Sequence, residues 1–354
     1  MMDLDSGMSG NLGLYMHEQL LTYDKGSISM NLVQEAILSV HHQGLNIQEI
    51  LQSAGIPAEF MQSNKARVSI SQYAQLWIEL ANRMNDEFFG MDQHALRRGS
   101  YQFISKAVIQ AETLEKALKD ILKFFNLILD DFQSELVLEQ NVARIIIHDK
   151  KQPKRMFSYA TYLMLIHTLM CWLASQRIPL NQIQLKCEKP IADEDYRIRF
   201  CSNISYLASQ NSVEFDRDFL NIKIKQDKKS WYEFISQTPH NLLVRFKNPN
   251  ALSTQVRKYL LQVPPAEWIE LNVLAQQFNM SEATVRRRLN SEGCNYQQLK
   301  NDIRRDTAIE LLSKTDKALH EISDELNFHD PSAFHRAFKK WTGVSPGAYR
   351  QSKE

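Results

Sequence analysis

The chain has 354 residues, of which 44% are hydrophobic and 23% charged, with a formal net charge of +1. These values are ordinary for a globular protein and exclude a polycation or a disordered chain, while the length allows about two domains. Cys171, Cys187, Cys201 and Cys294 lie far apart with no C-x-x-C pair, so spacing excludes a zinc knot or a disulfide framework and points to the reduced thiols of a cytoplasmic protein.

Residues 1–25 contain Gly, Ser and Met without periodic pattern and read as a flexible tail. They start acidic and carry no apolar run of the secretory type. From Asn31 to Met91 the pattern is helical, with a turn at Gly44 before Ile47–Ala54 and serines placed to cap SISQYAQLWIELANRM, Ser69–Met84. Thr113 caps a further expected helix whose stripe is Leu114, Leu118, Ile121, Leu122 and Phe125. SELVLEQ and ARIIIHD, bridged at Gln140–Asn141, predict a hairpin. Met156–Ala174 is almost long enough to cross a bilayer. Ser158, Thr161, His167, Thr168 and Cys171 interrupt it, and it reads as a helix buried inside a globular domain, not as a membrane span. NQIQLKCEK, NSVEFDR and NIKIKQ predict short strands, and Lys229–Phe246 predicts one helix. Residues 26–246 are thus expected to form an α+β domain, helices on a small, mostly antiparallel sheet. Asn248-Pro249-Asn250 marks a linker over 247–253, and 254–354 is helical throughout.

The last hundred residues repeat themselves. Leu271, Leu274, Phe278 and Met280 recur as Leu319, Ile322, Leu326 and Phe328, each 48 positions on. Val285, Arg286, Arg287 and Leu289 recur as Phe334, His335, Arg336 and Phe338, now 49 positions on. Each copy reads as a short helix, a tight turn and a second helix. Ser281 followed by Glu282, and Asp330 followed by Pro331, supply the start of each second helix. Tyr296–Leu312 between the copies predicts a linker helix of about 25 Å. The C-terminal domain is therefore expected to be all-α, with two helix-turn-helix units joined by that rod.

This geometry gives the run Arg286-Arg287-Arg288 a meaning that it lacks alone. If Val285 and Leu289 face the core, then Ala283, Thr284, Arg286 and Arg287 face away from it. If Phe334 and Phe338 are buried, Pro331, Ser332, His335 and Arg336 face outward, with Lys339 and Lys340 behind them. A helix of this kind fits the DNA major groove with its first turns on base edges. Arginine pairs bidentately with guanine, and lysines suit phosphates. Arg288 is a candidate for a structural ion pair. Residues 251–354 hold 15 basic and 13 acidic residues, so the argument rests on distribution instead of sum.

The C-terminal hundred residues resemble the DNA-binding domain of the AraC/XylS family of bacterial transcription regulators. ISDELNFHDPSAFHRAFKKWTGVSPGAYR (Ile322–Arg350) carries the likeness, ending on the G-x-S-P-x-x-Y-R pattern of Gly343, Ser345, Pro346, Tyr349 and Arg350. Ser323 and Asn327 stand where the family has Ala and Gly, and Asn accepts the left-handed turn that Gly would make. GLNIQEILQSAGIP, ARVSISQYAQLWIELANRMNDEFFGM and FCSNISYLASQNSVEFDRDFLN are similar to the OruR/VirS-like subgroup, which has an arabinose-binding-type N-terminal domain.

The resemblance implies a DNA-binding regulator, an activator, whose N-terminal domain senses a small-molecule effector. It implies a homodimer on promoter DNA, RNA polymerase as a further partner, no cofactor and no membrane. The pocket is expected somewhere in residues 90–225. An apolar wall with a few hydroxyls and an imidazole points to Phe125, Tyr159, Tyr162 and His167, although an aromatic stripe there is more often core than pocket. No H-E-x-x-H, P-loop, G-x-S-x-G or G-x-G-x-x-G occurs, so no metal or catalytic set is read. Two other functions compete: a repair enzyme carrying the same double helix-turn-helix, whose reactive cysteine lacks the P-C-H-R-like setting here, and a constitutive DNA bender, which needs no large first domain.

Overall fold

The computed structural model describes residues 27–41, 44–62, 66–243, 252–291 and 294–351. The expected tail lies outside these residues, as does most of the expected linker. The chain divides into two compact units, Ile28–Arg245 and Phe246–Ser352.

The N-terminal unit contains two sheets among the described residues. Strands β1 (Ser27–Ser29) and β2 (Arg67–Ser69) pair as a two-stranded ribbon. The larger sheet has the order β3 (Phe132–Leu138), β4 (Val142–Asp149), β7 (Asn211–Asp216), β5 (Leu180–Gln184), β6 (Ile204–Ser205). All its pairings are antiparallel except β5 with β6. The hairpin runs in register from Phe132 opposite Asp149 to Leu138 opposite Ala143. Both faces of β4 carry branched aliphatics, and Ile145, Ile146 and Ile147 are all buried.

Helices follow the same local chemistry. After α1 (Met30–His41) and α2 (Ile47–Ser53), α3 (Ile70–Met84) begins at Ser69, whose Oγ accepts the Gln72 N–H at 3.1 Å while Gln72 Oε1 accepts the Ser69 N–H at 2.8 Å. This reciprocal cap satisfies two N–H groups the helix cannot. Helices α4 (Ser100–Val108) and α5 (Leu114–Ile128) follow, and α5 buries the stripe from Leu114 to Phe125. Helix α6 (Met156–Leu173) has every residue buried except Trp172, and the 94% burial of this apolar segment inside the protein explains its composition. Helix α7 (Asp193–Arg199) precedes β6.

Two expected elements differ. NIKIKQ is not a sheet strand: Ile222 O accepts from Leu114 N at 2.9 Å and Ile224 N donates to Glu112 O at 3.2 Å, so this segment pairs with the entry to α5. Of the helix expected over Lys229–Phe246, residues 244–246 lie outside the described residues, and the rest is two helices, α8 (Lys228–Ser236) and α9 (His240–Leu243). Pro239 has no N–H to continue the first.

The C-terminal unit is helical: α10 (Leu252–Gln262), α11 (Leu271–Gln277), α12 (Glu282–Ser291), α13 (Tyr296–Lys314), α14 (Leu319–Glu325), α15 (Pro331–Thr342) and α16 (Pro346–Gln351). Leu252, Val256, Leu260, Leu274, Val285 and Leu289 pack with Tyr296, Leu299 and Ile303 of α13 in one cluster.

Candidate nucleic-acid interface

The repeat read in the sequence is a repeat of backbone geometry. The turn after α11 bonds Phe278 N to Leu274 O, Asn279 N to Gln276 O and Met280 N to Ala275 O, at 3.2, 3.0 and 2.9 Å. The turn after α14 bonds Leu326 N to Ile322 O, Asn327 N to Asp324 O and Phe328 N to Ser323 O, at 3.1, 2.9 and 3.0 Å. Each turn passes through one left-handed asparagine, Asn279 at φ 51° and Asn327 at φ 54°. Asparagine visits this region more readily than most residues.

The second helix of each copy is capped by its own side chain. Ser281 Oγ accepts the Thr284 N–H at 3.2 Å. Asp330 Oδ1 accepts the Ala333 N–H at 2.7 Å, with Pro331 at the first helical position. That hydrogen bond, foremost, holds the Asp330 carboxyl below its usual pKa. At the far end of α15, Gly343 takes φ 78° and its N–H bonds Lys339 O.

Burial then sorts the faces. Val285, Leu289, Phe334 and Phe338 are at most 1% exposed. Phe334 meets Phe328 and Phe338 at ring-centroid distances of 5.5 and 5.8 Å, and Phe338 meets Tyr349 edge-on at 5.5 Å. Ala283, Arg286, Arg287, Pro331, Ser332, His335, Arg336, Lys339 and Lys340 are all exposed, and Thr284 is half-buried, its hydroxyl 2.8 Å from that of Ser281. Arg287 and Arg336 occupy one register, two positions beyond the buried Val285 and Phe334. Arg286 is engaged on its own helix by Glu282 at 2.6 Å. Arg288 Nη1 lies 3.7 Å from the Met280 sulfur, an arrangement the sequence did not foretell.

What aims these helices is a set of residues that sequence reading missed. On α13, Arg304 lies with its guanidinium carbon 5.0 Å from the Trp268 ring centroid and 5.6 Å from that of Phe328, and its Nε donates to Leu326 O at 3.0 Å. Trp268 leads into the first copy and its Nε1 donates to Leu260 O at 2.8 Å, while Leu326 and Phe328 form the turn of the second copy. One guanidinium on the rod therefore joins the ring that leads into the first copy to the turn of the second. Asn327 Nδ2 adds a 3.4 Å bond to Pro265 O. Deeper in, Asp306 accepts from Arg257 of α10 at 3.0 Å and from Arg305 at 3.0 Å, in a setting where Arg257 and Asp306 side chains are 7% and 5% exposed. An arginine next to Arg305 on a helix of mixed charge carries no signal that it will stack on two rings remote in the sequence.

In the N-terminal unit, the four candidate effector residues form part of the core. Phe125 and Tyr162 meet edge-on at 5.4 Å, Phe132 stacks on Tyr162 at 5.4 Å and meets Tyr159 at 5.7 Å. The Tyr162 hydroxyl bonds Ser134, and the Tyr159 hydroxyl donates to Asp149 Oδ1 at 2.7 Å. His167 stands apart, its Nε2 2.8 Å from Ile178 O. Phe125, Tyr159, Tyr162 and His167 are between 0% and 5% exposed. A cavity lies elsewhere in the unit, between α3, α4, α6 and α9, and draws on residues both before and after the expected 90–225 window.

Comparison with known proteins places both parts of the chain in one family of regulators. The arabinose-binding N-terminal domain of AraC transcription regulators matches residues 44–224, and a helix-turn-helix domain matches residues 274–352. An ornithine utilization regulator of Pseudomonas aeruginosa is 24% identical over 90% of this chain and 95% of its own. The regulator VqsM of the same organism is 39% identical over 25% of this chain and 27% of its own, and the virulence activator VirF of Shigella flexneri is 32% identical over 27% and 36%. The crystal structure of the transcriptional regulator CdpR from Pseudomonas aeruginosa, 21% identical, covers 72% of this chain and 83% of that one with a TM-score of 0.30. The chain belongs to the AraC family of transcription regulators, with an arabinose-binding-type domain ahead of a helix-turn-helix DNA-binding domain.

Proposed function

We propose that this protein is a cytoplasmic, effector-controlled transcription activator in which α12 and α15 read successive major grooves on one face of promoter DNA. Ala283, Thr284, Arg286 and Arg287 face the bases of one groove, and Pro331, Ser332, His335 and Arg336 those of the next. Lys339 and Lys340 hold phosphates, which set register without reading sequence. The observation that carries this reading is the matched pair of arginines: Arg287 and Arg336 sit at one register of two copies with the same turn and the same buried face. Arg287 is the freer of the adjacent arginines on α12, because Arg286 is held by Glu282.

The N-terminal unit senses a small molecule and pairs two chains, so that effector binding shifts the population able to span two half-sites. The activating direction is supported by the relative VirF, named a transcriptional activator, and activation brings RNA polymerase to the same promoter. The test is a footprint and a gel-shift titration on the promoter regions next to this protein's own gene. Arg287→Ala and Arg336→Ala should each weaken binding by roughly 1–3 kcal/mol and relax selectivity at a single base position. Unchanged footprints in both variants would remove these helices from the DNA.

A further inference from the structure

The cavity in the N-terminal unit has a volume of about 110 Å³. Its walls are mostly apolar: Trp77 of α3, Phe89, Tyr101 of α4, Leu165 of α6 and Leu242 of α9. Trp77 and Phe89 brace each other edge-to-face at 4.9 Å, and both are buried. Two charged residues share this lining, Glu87 and Arg98.

The polar groups around the cavity divide into spent and unspent. The Tyr101 hydroxyl donates to Leu165 O at 3.2 Å. The Thr238 hydroxyl is 3.2 Å from both Phe234 O and Asn241 Oδ1. Glu87 accepts one backbone N–H on each oxygen, Gly99 at 2.7 Å and Tyr101 at 2.8 Å. A carboxylate has about four acceptor positions, so two remain. Burial raises the Glu87 pKa despite these bonds and despite the Arg98 charge, which acts to lower it. Arg98 is exposed, acts on Glu87 only through space, and makes no hydrogen bond or ion pair among the described residues. The cavity thus offers a negatively charged acceptor and a positively charged donor that are not hydrogen-bonded to each other.

This pairing selects the ligand. A simple acid on Arg98 would be repelled by Glu87, and a simple amine on Glu87 would be repelled by Arg98. A neutral apolar ligand would cover both charges and satisfy neither. A molecule carrying ammonium and carboxylate on one carbon, with an apolar side chain for the aromatic wall, answers both charges and the lining. The volume lies below the several hundred Å³ of drug-sized sites and favours a short aliphatic side chain.

We propose that this cavity is the effector site and that it takes a small aliphatic α-amino acid, carboxylate on Arg98 and ammonium on Glu87. This rests on the reading of the N-terminal unit as a sensor. Leu242 gives the site a route to the rest of the chain. It belongs to α9, the last described element before residue 252, and its carbonyl accepts from Arg199 Nη2 at 2.8 Å. A ligand packed on Leu242 stiffens the end of the unit from which the chain continues to α10.

The experiment is isothermal titration and thermal unfolding of the full chain with L-leucine, with 3-methylbutylamine, which lacks its carboxylate, and with 4-methylpentanoate, which lacks its ammonium. The expected result is binding and a raised melting temperature for L-leucine, with both truncated molecules at least tenfold weaker. Arg98→Glu, a change at an exposed side chain, and Ala81→Leu, which fills the cavity, should each weaken L-leucine at least tenfold, with circular dichroism verifying the fold. Equal binding of either truncated molecule, absence of L-leucine binding, or L-leucine binding untouched by Arg98→Glu would overturn the proposal. A wider metabolite set then separates the two readings. Stabilisation by some other compound that ignores Arg98→Glu and Ala81→Leu removes this site and keeps a sensor; no stabilisation by any compound removes the sensor as well.

Discussion

Single residues in the DNA-binding unit divide into those aimed outward and those that hold the aim. Asp306 is of the second kind: it answers Arg257 and Arg305 from inside the unit. Removing one partner of a buried ion pair leaves the other charge uncompensated, so Asp306→Ala should cost about 3–5 kcal/mol in denaturant unfolding. Asp330 acts at the surface, and its effect is read through pH. Its hydrogen bond from the Ala333 N–H holds the folded pKa below the ordinary carboxylate value. The unfolded chain therefore binds the proton more readily, and the stability gained at this cap is full above the unfolded value and lost as pH falls through the folded one. Asp330→Asn keeps a capping oxygen that does not titrate. Its acid unfolding curve should be shallower than that of the parent, and identical curves would deny the cap a role.

At the scale of elements, the question is what turns two small bihelical units into one reader. Arg304 on α13 touches the ring before the first copy and the ring and carbonyl of the second copy's turn. Burial lowers its pKa, and a half-buried guanidinium against aromatic rings is worth about 1 kcal/mol. Lysine keeps the charge and loses the plane and the fork. Arg304→Lys should weaken binding to a site with both half-elements far more than to either half alone, and should tolerate a one-base-pair change in their spacing better than the parent does. A gel-shift series over spacings checks this; a uniform loss across all spacings would make Arg304 merely structural. The helices themselves were readable in advance. Thr113, Ser69, Asp330 and the left-handed Asn327 act within three or four residues of where they stand, so caps and turns were written locally. NIKIKQ was misread because its alternation fits a strand, while its backbone finds its partners at the start of α5. The split between α8 and α9 is legible in Pro239, which has no N–H to carry a helix through that point.

The whole molecule consists of two compact units, each with its own buried core, Phe125–Phe132–Tyr162 in one and the α10–α13 cluster in the other. Calorimetry should therefore resolve two unfolding transitions. Phe338→Ala, which empties a position with 0% exposure, should lower one transition by about 3–5 kcal/mol and leave the other in place. Coincident movement of both would mean that the units fold as one. At this scale the sequence by itself determined the division into an α+β and an all-α part, the doubled helix-turn-helix, and the outward register of Arg287 and Arg336. Periodicity, caps and a repeat are properties of neighbouring residues, and a buried pair four apart dictates which residues between them meet solvent. Only the tertiary structure decided that Phe125, Tyr159, Tyr162 and His167 pack into the core, that a cavity gathers Trp77, Glu87, Arg98 and Leu242 from distant stretches, and that Arg304 joins Trp268 to Phe328. Those arrangements depend on which surfaces exclude water together, and that is settled when elements far apart in the chain meet.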